Sequence, residues 1–261
     1  MTKVWAFSNN KGGVLKTSLT ISVAGLLSLE GKRVLIIDAD SQGNVAISFG
    51  KNPDNFRDTI YDVLMGTVPW KNTLVNVYNN IDIIPSNTDL QYLEFDVLKK
   101  PDQYPDPFRL LKNNLKGIEK KYDYVLIDCP PSLGGLMFGN VANLRDVELI
   151  VPYQPERYSI RSLQKLVEFV ADFKRDFNSS LQIKGIIFTM VDKRTAIHSI
   201  IIQETRKYAI ENVLKTYDTV IPRSIRGATG IMTDNLPVTL IEEENQLKKA
   251  YKDLFVELNE K

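Results

Sequence analysis

The sequence contains one cysteine, Cys129, and one histidine, His198, in 261 residues. A single thiol rules out an intrachain disulfide and fits a reducing compartment. One Cys and one His also exclude a structural zinc site or an iron–sulfur cluster held by this chain alone. Cys129 reads as a small buried filler, and His198 as a surface residue. No run of 18 apolar residues occurs, so no transmembrane helix is expected. Residues 1–7 lead into strand-like sequence without the layout of a signal peptide. Charge of one sign is missing too: the formal net charge is +1, which gives no global case for nucleic-acid binding. The charge is unevenly spread, however. Residues 157–226 carry 13 Lys/Arg against 7 Asp/Glu, a basic stretch in the C-terminal half.

At 43% hydrophobic and 25% charged, the chain has the balance of a globular protein with a sizeable core. Short Val/Ile-rich runs at 4–8, 33–38, 81–85, 122–128, 147–152, 184–190 and 219–222 read as strands. They are apolar on both faces, as buried parallel strands are. Helical patterns at 16–30, 106–121, 159–177, 195–215 and 242–259 alternate with them. The stretch 50–80 reads as loops and short helices. This alternation predicts an α/β fold, a doubly wound and mostly parallel sheet with helices on both faces. With no repeats and no linker, it reads as one domain over residues 1–261.

The first strand ends at Ser8-Asn9-Asn10. A glycine-containing turn follows, and Lys16-Thr17-Ser18 opens a helix. Backbone N–H groups of such a loop converge on phosphate oxygens, and the helix N-terminus adds partial positive charge. Gly12 and Gly13 let backbone approach a ligand closely. Lys16 is placed to reach β/γ-phosphates and Thr17 to offer a hydroxyl to Mg²⁺. The generic pattern G-x-x-x-x-G-K-[ST] is not met, since Asn10 and Leu15 stand at its glycine positions. Two further strands end in carboxylates. The second runs out as Asp38-Ala39-Asp40-Ser41-Gln42-Gly43-Asn44. The fourth runs out as Asp128-Cys129-Pro130-Pro131-Ser132, an apolar run ending abruptly in Asp. In open α/β sheets ligands bind at that edge. An octahedral Mg²⁺ takes few protein carboxylates and keeps several waters, so Asp128 would hold it through a water.

These segments resemble the ParA/MinD superfamily of deviant Walker A ATPases, whose mark is a second lysine at the start of the loop, here Lys11. Asp38 to Asn44 resembles the family's D-x-D-P-Q-G-N segment, with Ser41 in place of proline. The Asp128-Cys129-Pro130-Pro131-Ser132 run is similar to plasmid and chromosome partition ATPases. Residues 84–90, 151–156, 189–195 and 221–226 match further family segments, and the pattern is most similar to short, Soj-like members. The resemblance implies ATP and Mg²⁺ as ligands. It implies nucleotide contacts from Lys11, Gly12, Gly13, Val14, Leu15, Lys16, Thr17 and Ser18, and from the backbone around Pro222 and Ser224, with Asp192 nearby, at the base. Asp40 would orient the attacking water, with Asp38 beside the metal. Lys11 would reach the phosphates of a partner subunit's nucleotide.

It further implies a weak ATP hydrolase that dimerises on ATP, binds DNA without sequence preference and lets go on hydrolysis. Lys193, Arg194, Arg223 and Arg226 occupy the DNA-contact segments, with Arg206, Lys207 and Lys215 nearby. A ParB-type centromere-binding protein is the implied stimulating partner. The location implied is cytoplasmic, and nucleoid-associated in the ATP state. Two alternatives stand beside this. A MinD-like membrane-associated ATPase would use the apolar stripe Leu247, Tyr251, Leu254, Phe255 and Leu258 on lipid. The acidic residues around that stripe favour packing on the sheet instead, so no membrane is expected. A nucleotide-dead DNA-binding or regulatory dimer would follow if Leu15, where the family usually has glycine, crowds the phosphates or strains the loop.

Overall fold

The computed structural model describes residues 2–192, 194–224 and 234–260. The strands are β1 (Lys3–Phe7), β2 (Val34–Asp38), β3 (Val75–Tyr78), β4 (Ile81–Ile84), β5 (Tyr124–Asp128), β6 (Val147–Tyr153) and β7 (Gln182–Phe188). They pair in the order β3-β4-β2-β5-β1-β6-β7. All these pairings are parallel except that of β3 with β4. The helices are α1 (Lys16–Leu29), α2 (Asn44–Ser48), α3 (Ile60–Met65), α4 (Leu93–Leu98), α5 (Leu110–Asn114), α6 (Leu136–Ala142), α7 (Ser159–Asp176), α8 (Ala196–Glu211) and α9 (Gln246–Asn259).

Successive strand residues face opposite ways, and each face has its own core. Trp5, Phe7, Val34 and Ile36 pack with Leu19 and Leu27 of α1 and Tyr251 and Leu254 of α9. Ala6, Leu35 and Ile37 pack with Val63 of α3 and Leu163 and Leu166 of α7 on the other side. Helices therefore cover both faces, which is what strands with no polar face require. Gly25 brings α1 close to the segment before α9. A Cβ there would meet Thr239 Oγ1 at 2.6 Å, and the same hydroxyl donates to Ser22 O at 3.0 Å.

The structure departs from the sequence pattern in four places. β3 was not expected: it is a half-exposed edge strand, and without two apolar faces it gives no strong signal. Residues 106–121 do not form one helix. Gly117 at φ +87° ends the run, leaving only short 3-10 turns around α5. α6 lies in a stretch to which the sequence pattern assigns no element. Residues 219–222 are not a strand but extended chain beside β7. Ile221 N bonds to Phe188 O at 2.8 Å, and Pro222 forms only an isolated bridge to Val191, since proline has no N–H for a continuous ladder.

α9 bears on the membrane alternative. Asn245 caps it, accepting from Lys248 N at 2.9 Å, so it starts later than the periodicity suggested. Its stripe Leu247, Tyr251, Leu254, Phe255 and Leu258 is entirely buried, packed on the sheet as the acidic flanks implied. Among the described residues no helix is long and apolar enough to cross a membrane. Leu254 has no solvent exposure, so Leu254→Ala should lower the unfolding free energy by about 2–5 kcal/mol, measured by denaturant titration.

Candidate phosphate-binding site

The site forms where β1, β2 and β5 end side by side. β1 lies between β5 and β6. The chain leaves β1 toward β2 on one side and passes from β5 to β6 across it on the other. Loops diverge from such a point and open a crevice. After β1 the chain is shaped by Asn9, whose buried amide donates to Pro152 O at 2.6 Å and whose oxygen accepts from Lys11 N at 3.0 Å. Thr189 Oγ1, at the end of β7, donates to Val14 O at 3.1 Å. Gly13 sits at φ +73°, and no atom lies within 4 Å of where a Cβ would be at Gly12 or Gly13. α1 then starts at Lys16 with no side-chain cap. Its first N–H groups are thus free of a side-chain acceptor, the condition for holding an anion.

Lys16 folds back over this loop. Its Nζ donates to the carbonyls of Asn9 at 3.2 Å and Lys11 at 3.1 Å. Burial lowers its pKa, and the carboxylate of Asp128 opposes that shift. Thr17 Oγ1 donates to Asp128 Oδ2 at 2.5 Å, while Asp128 Oδ1 is buried with no hydrogen-bond partner. Asp38 lies opposite Asp128 in the β2–β5 register. Both of its oxygens are used: Oδ1 accepts from Asp40 N at 3.1 Å and Oδ2 from Val45 N at 3.0 Å. Burial, and then the Asp128 charge, push the Asp38 carboxyl well above the usual carboxylate range. Burial raises Asp128 too. Asp40 stands one turn further out, only partly buried, with Oδ1 accepting from Gln42 N at 3.1 Å.

Two adjacent buried carboxyls, of which Asp128 lies near the Lys16 ammonium, make a site that gains from a cation. The donors around the orphaned Asp128 Oδ1 are oxygens, a carboxylate and a hydroxyl, which suits a hard ion such as Mg²⁺. Among the described residues no group of three or more His, Cys, Asp or Glu is placed to cage a metal. A Mg²⁺ that keeps most of its water needs no such cage. Cys129 is buried, and burial pushes its thiol far up, so it acts as filler.

The remaining sequence candidates fall around the rim. Lys11 is held by Glu156, Nζ to Oε2 2.5 Å, with Gln154 Oε1 at 3.5 Å. Val14 is buried, and Leu15 is the helix N-cap at φ +68°. Leu15, Ser18, Pro222 and Ser224 line one small cavity with Met190 and Tyr251. Pro222 and Ser224 also line an outer depression of about 470 Å³ with Asp192, Arg194, Arg223 and Gln246. Arg194 is exposed but paired with Asp192 at 3.0 Å, and Arg223 is exposed. Arg206 is paired with Asp218 at 3.2 Å, while Lys207 and Lys215 are exposed. Lys193 and Arg226 lie outside the described residues. His198 is half-buried, its Nδ1 accepting from Asp192 N at 3.0 Å, so it shapes the loop that carries Arg194. The sequence reading gave no role to Asn9, Thr189 or Glu156. Glu156 and Thr189 had a signal, since both lie inside family-like segments.

A family model described as an AAA domain matches residues 2–183. The sporulation initiation inhibitor protein Soj of Bacillus subtilis is 32% identical over 259 residues, 99% of this chain and 98% of that one. The chromosome partitioning protein ParA of Caulobacter vibrioides is 35% identical over 227 residues, 86% of this chain and 82% of that one. Among solved structures, the chain is similar to cobyrinic acid a,c-diamide synthase from Mycobacterium smegmatis, solved with a bound ATP analog and magnesium. The TM-score is 0.83 at 28% identity, covering 98% of this chain and 93% of that one. A plasmid partition protein from Borrelia burgdorferi gives a TM-score of 0.74 at 26% identity, covering 98% and 96%.

Proposed function

Because the chain belongs to the ParA/Soj-type family of partition ATPases, we propose that it is a DNA-partition switch worked by ATP. ATP binding assembles a dimer that holds non-specific duplex DNA, and slow hydrolysis, stimulated by a ParB-type protein, takes it apart. It acts in the cytoplasm, on the nucleoid in its ATP state. The observation that carries this is the meeting of Lys16, Thr17, Asp38 and Asp128 at one strand edge, with a second lysine on the rim. Lys11 is tied to the surface residue Glu156. A cation at the rim can serve a second subunit, and exchanging Glu156 for a partner's phosphate makes dimerisation depend on nucleotide.

Phosphoryl transfer to water needs positioning and charge neutralisation more than covalent chemistry. The loop N–H groups and Lys16 bind and orient the phosphates. Thr17 and Asp128, the latter through water, would hold Mg²⁺, which when bound supplies positive charge to the phosphate oxygens. Asp38 fixes the Asp40 backbone, and Asp40 holds the attacking water and takes up its proton. Lys11 of the partner subunit adds charge only in the dimer, so hydrolysis and assembly are one event.

DNA binding is the test of the whole reading. Arg194 and Arg223 flank the outer depression beside Pro222 and Ser224, and a dimer presents two such patches. Four phosphate contacts give a slope of about −3.6 in log K against log salt, or roughly a hundredfold loss between 50 and 200 mM salt. Random duplex DNA should be shifted with a non-hydrolysable ATP analogue and not with ADP, and with that salt dependence. Absence of any analogue-dependent shift at low salt would overturn the DNA-switch reading.

A further inference from the structure

Leu15 is the strained residue of the phosphate loop. Its φ of +68° and ψ of +29° are left-handed, a conformation that costs a Cβ-bearing residue roughly 1–2 kcal/mol. The side chain packs against the core on the α1 side of the sheet. There it lines the cavity between the loop and Pro222 and Ser224, together with Ser18, Met190 and Tyr251. That cavity holds about 30 Å³, room for one or two waters. The depression beyond Pro222 and Ser224 is about 470 Å³, large enough for a base. The two cavities share Pro222 and Ser224, and with the phosphates on Lys16 and the base at Pro222, as the family resemblance implies, the sugar lies against the constricted part. Ser18 belongs to α1. Tyr251 belongs to α9 and is buried. Leu15 alone of the loop carries an apolar side chain into this passage.

We infer that the Leu15 side chain is a steric gate on the nucleoside half of the site, one that ribose and base must displace. It thereby sets how far ATP outbinds a bare triphosphate, making Leu15 a specificity-determining residue for nucleotide binding. This rests on the nucleotide reading above. The gate and the backbone strain are separable. Leu15→Gly removes both, whereas Leu15→Ala keeps a Cβ in the left-handed region and shortens the side chain. Calorimetric titration of the full chain and both variants, with Mg²⁺-ATP and with Mg²⁺-tripolyphosphate, reads the difference. ATP affinity should rise about tenfold or more in Leu15→Gly and by much of that in Leu15→Ala, while tripolyphosphate changes less than about twofold. Equal tightening of both ligands in Leu15→Gly alone would mean strain relief and overturn the gate. Weaker ATP binding in the shortened variants would make Leu15 a contact and overturn it likewise. Unchanged ATP affinity in all three proteins would remove the gate and leave the nucleotide reading standing. Failure of all three to bind ATP would remove both.

Discussion

Lys16→Ala should lose ATP binding by at least about a hundredfold, close to 3 kcal/mol, without unfolding the protein. The size follows from where the ammonium sits. It is buried and bonded to the carbonyls of Asn9 and Lys11, above a helix start with no side-chain cap. A charge-assisted bond in such a place is worth more than an exposed one, and no other described cation is bonded into the loop. The effect on stability has the opposite sign. Burial lowers the pKa of Lys16, so below that pKa the folded state bears the cost of a charged buried amine. Removing the side chain removes that cost. The variant should therefore melt at the same temperature as the parent or higher, and ATP with Mg²⁺ should no longer raise the melting temperature. Calorimetric titration and a thermal melt measure the two halves. A variant that binds ATP as the parent does would take Lys16 out of the site.

Much of this site was legible in sequence because its pieces are local. A strand ending in Asn-Asn, two glycines and Lys-Thr at a helix start lie within ten residues of each other. Asp38 and Asp128 close apolar runs that read as buried strands, though the register that sets them opposite is a property of the folded sheet. What was hidden depends on chain-distant partners. Glu156 meets Lys11 and Thr189 meets Val14 only because β6 and β7 lie beyond β1 in the sheet. Asn9 looked like a strand end, yet its amide ties the loop to β6. The cost of a Cβ at Leu15 was readable from the motif; the direction its side chain takes was not, because that is decided by α9 and the segment at Pro222. The same limit applies to β3, whose half-exposed face has no apolar pattern to read. Residues 106–121 needed a tertiary reason too, since their periodicity is helical up to the turn at Gly117.

Asp40→Ala should separate binding from turnover. ATP affinity should stay within about threefold of the parent, while hydrolysis falls by roughly 10²–10⁴. The structure distinguishes Asp40 from its two carboxylate neighbours. Asp38 is fully buried, and each of its oxygens accepts a backbone N–H group, so it serves as a post. Asp128 is committed to Thr17 on one oxygen, and its other oxygen is buried without a hydrogen-bond partner. Asp40 is partly exposed, with only Gln42 N on its carboxylate, and its backbone is held by Asp38. It alone of the three has acceptor capacity facing outward and a fixed base. On the proposal that nucleotide and Lys11 hold a dimer, a chain that binds ATP and cannot turn it over should accumulate as that dimer. Size-exclusion chromatography with light scattering should show that dimer with ATP itself, where the parent needs a non-hydrolysable analogue, and the dimer should stay on DNA. Asp40→Asn keeps the shape and loses the base, so it should be nearly as slow. Normal hydrolysis by either variant would move the water-positioning role elsewhere. A slow variant that remains monomeric with ATP would instead break the link between nucleotide and dimer on which the switch depends.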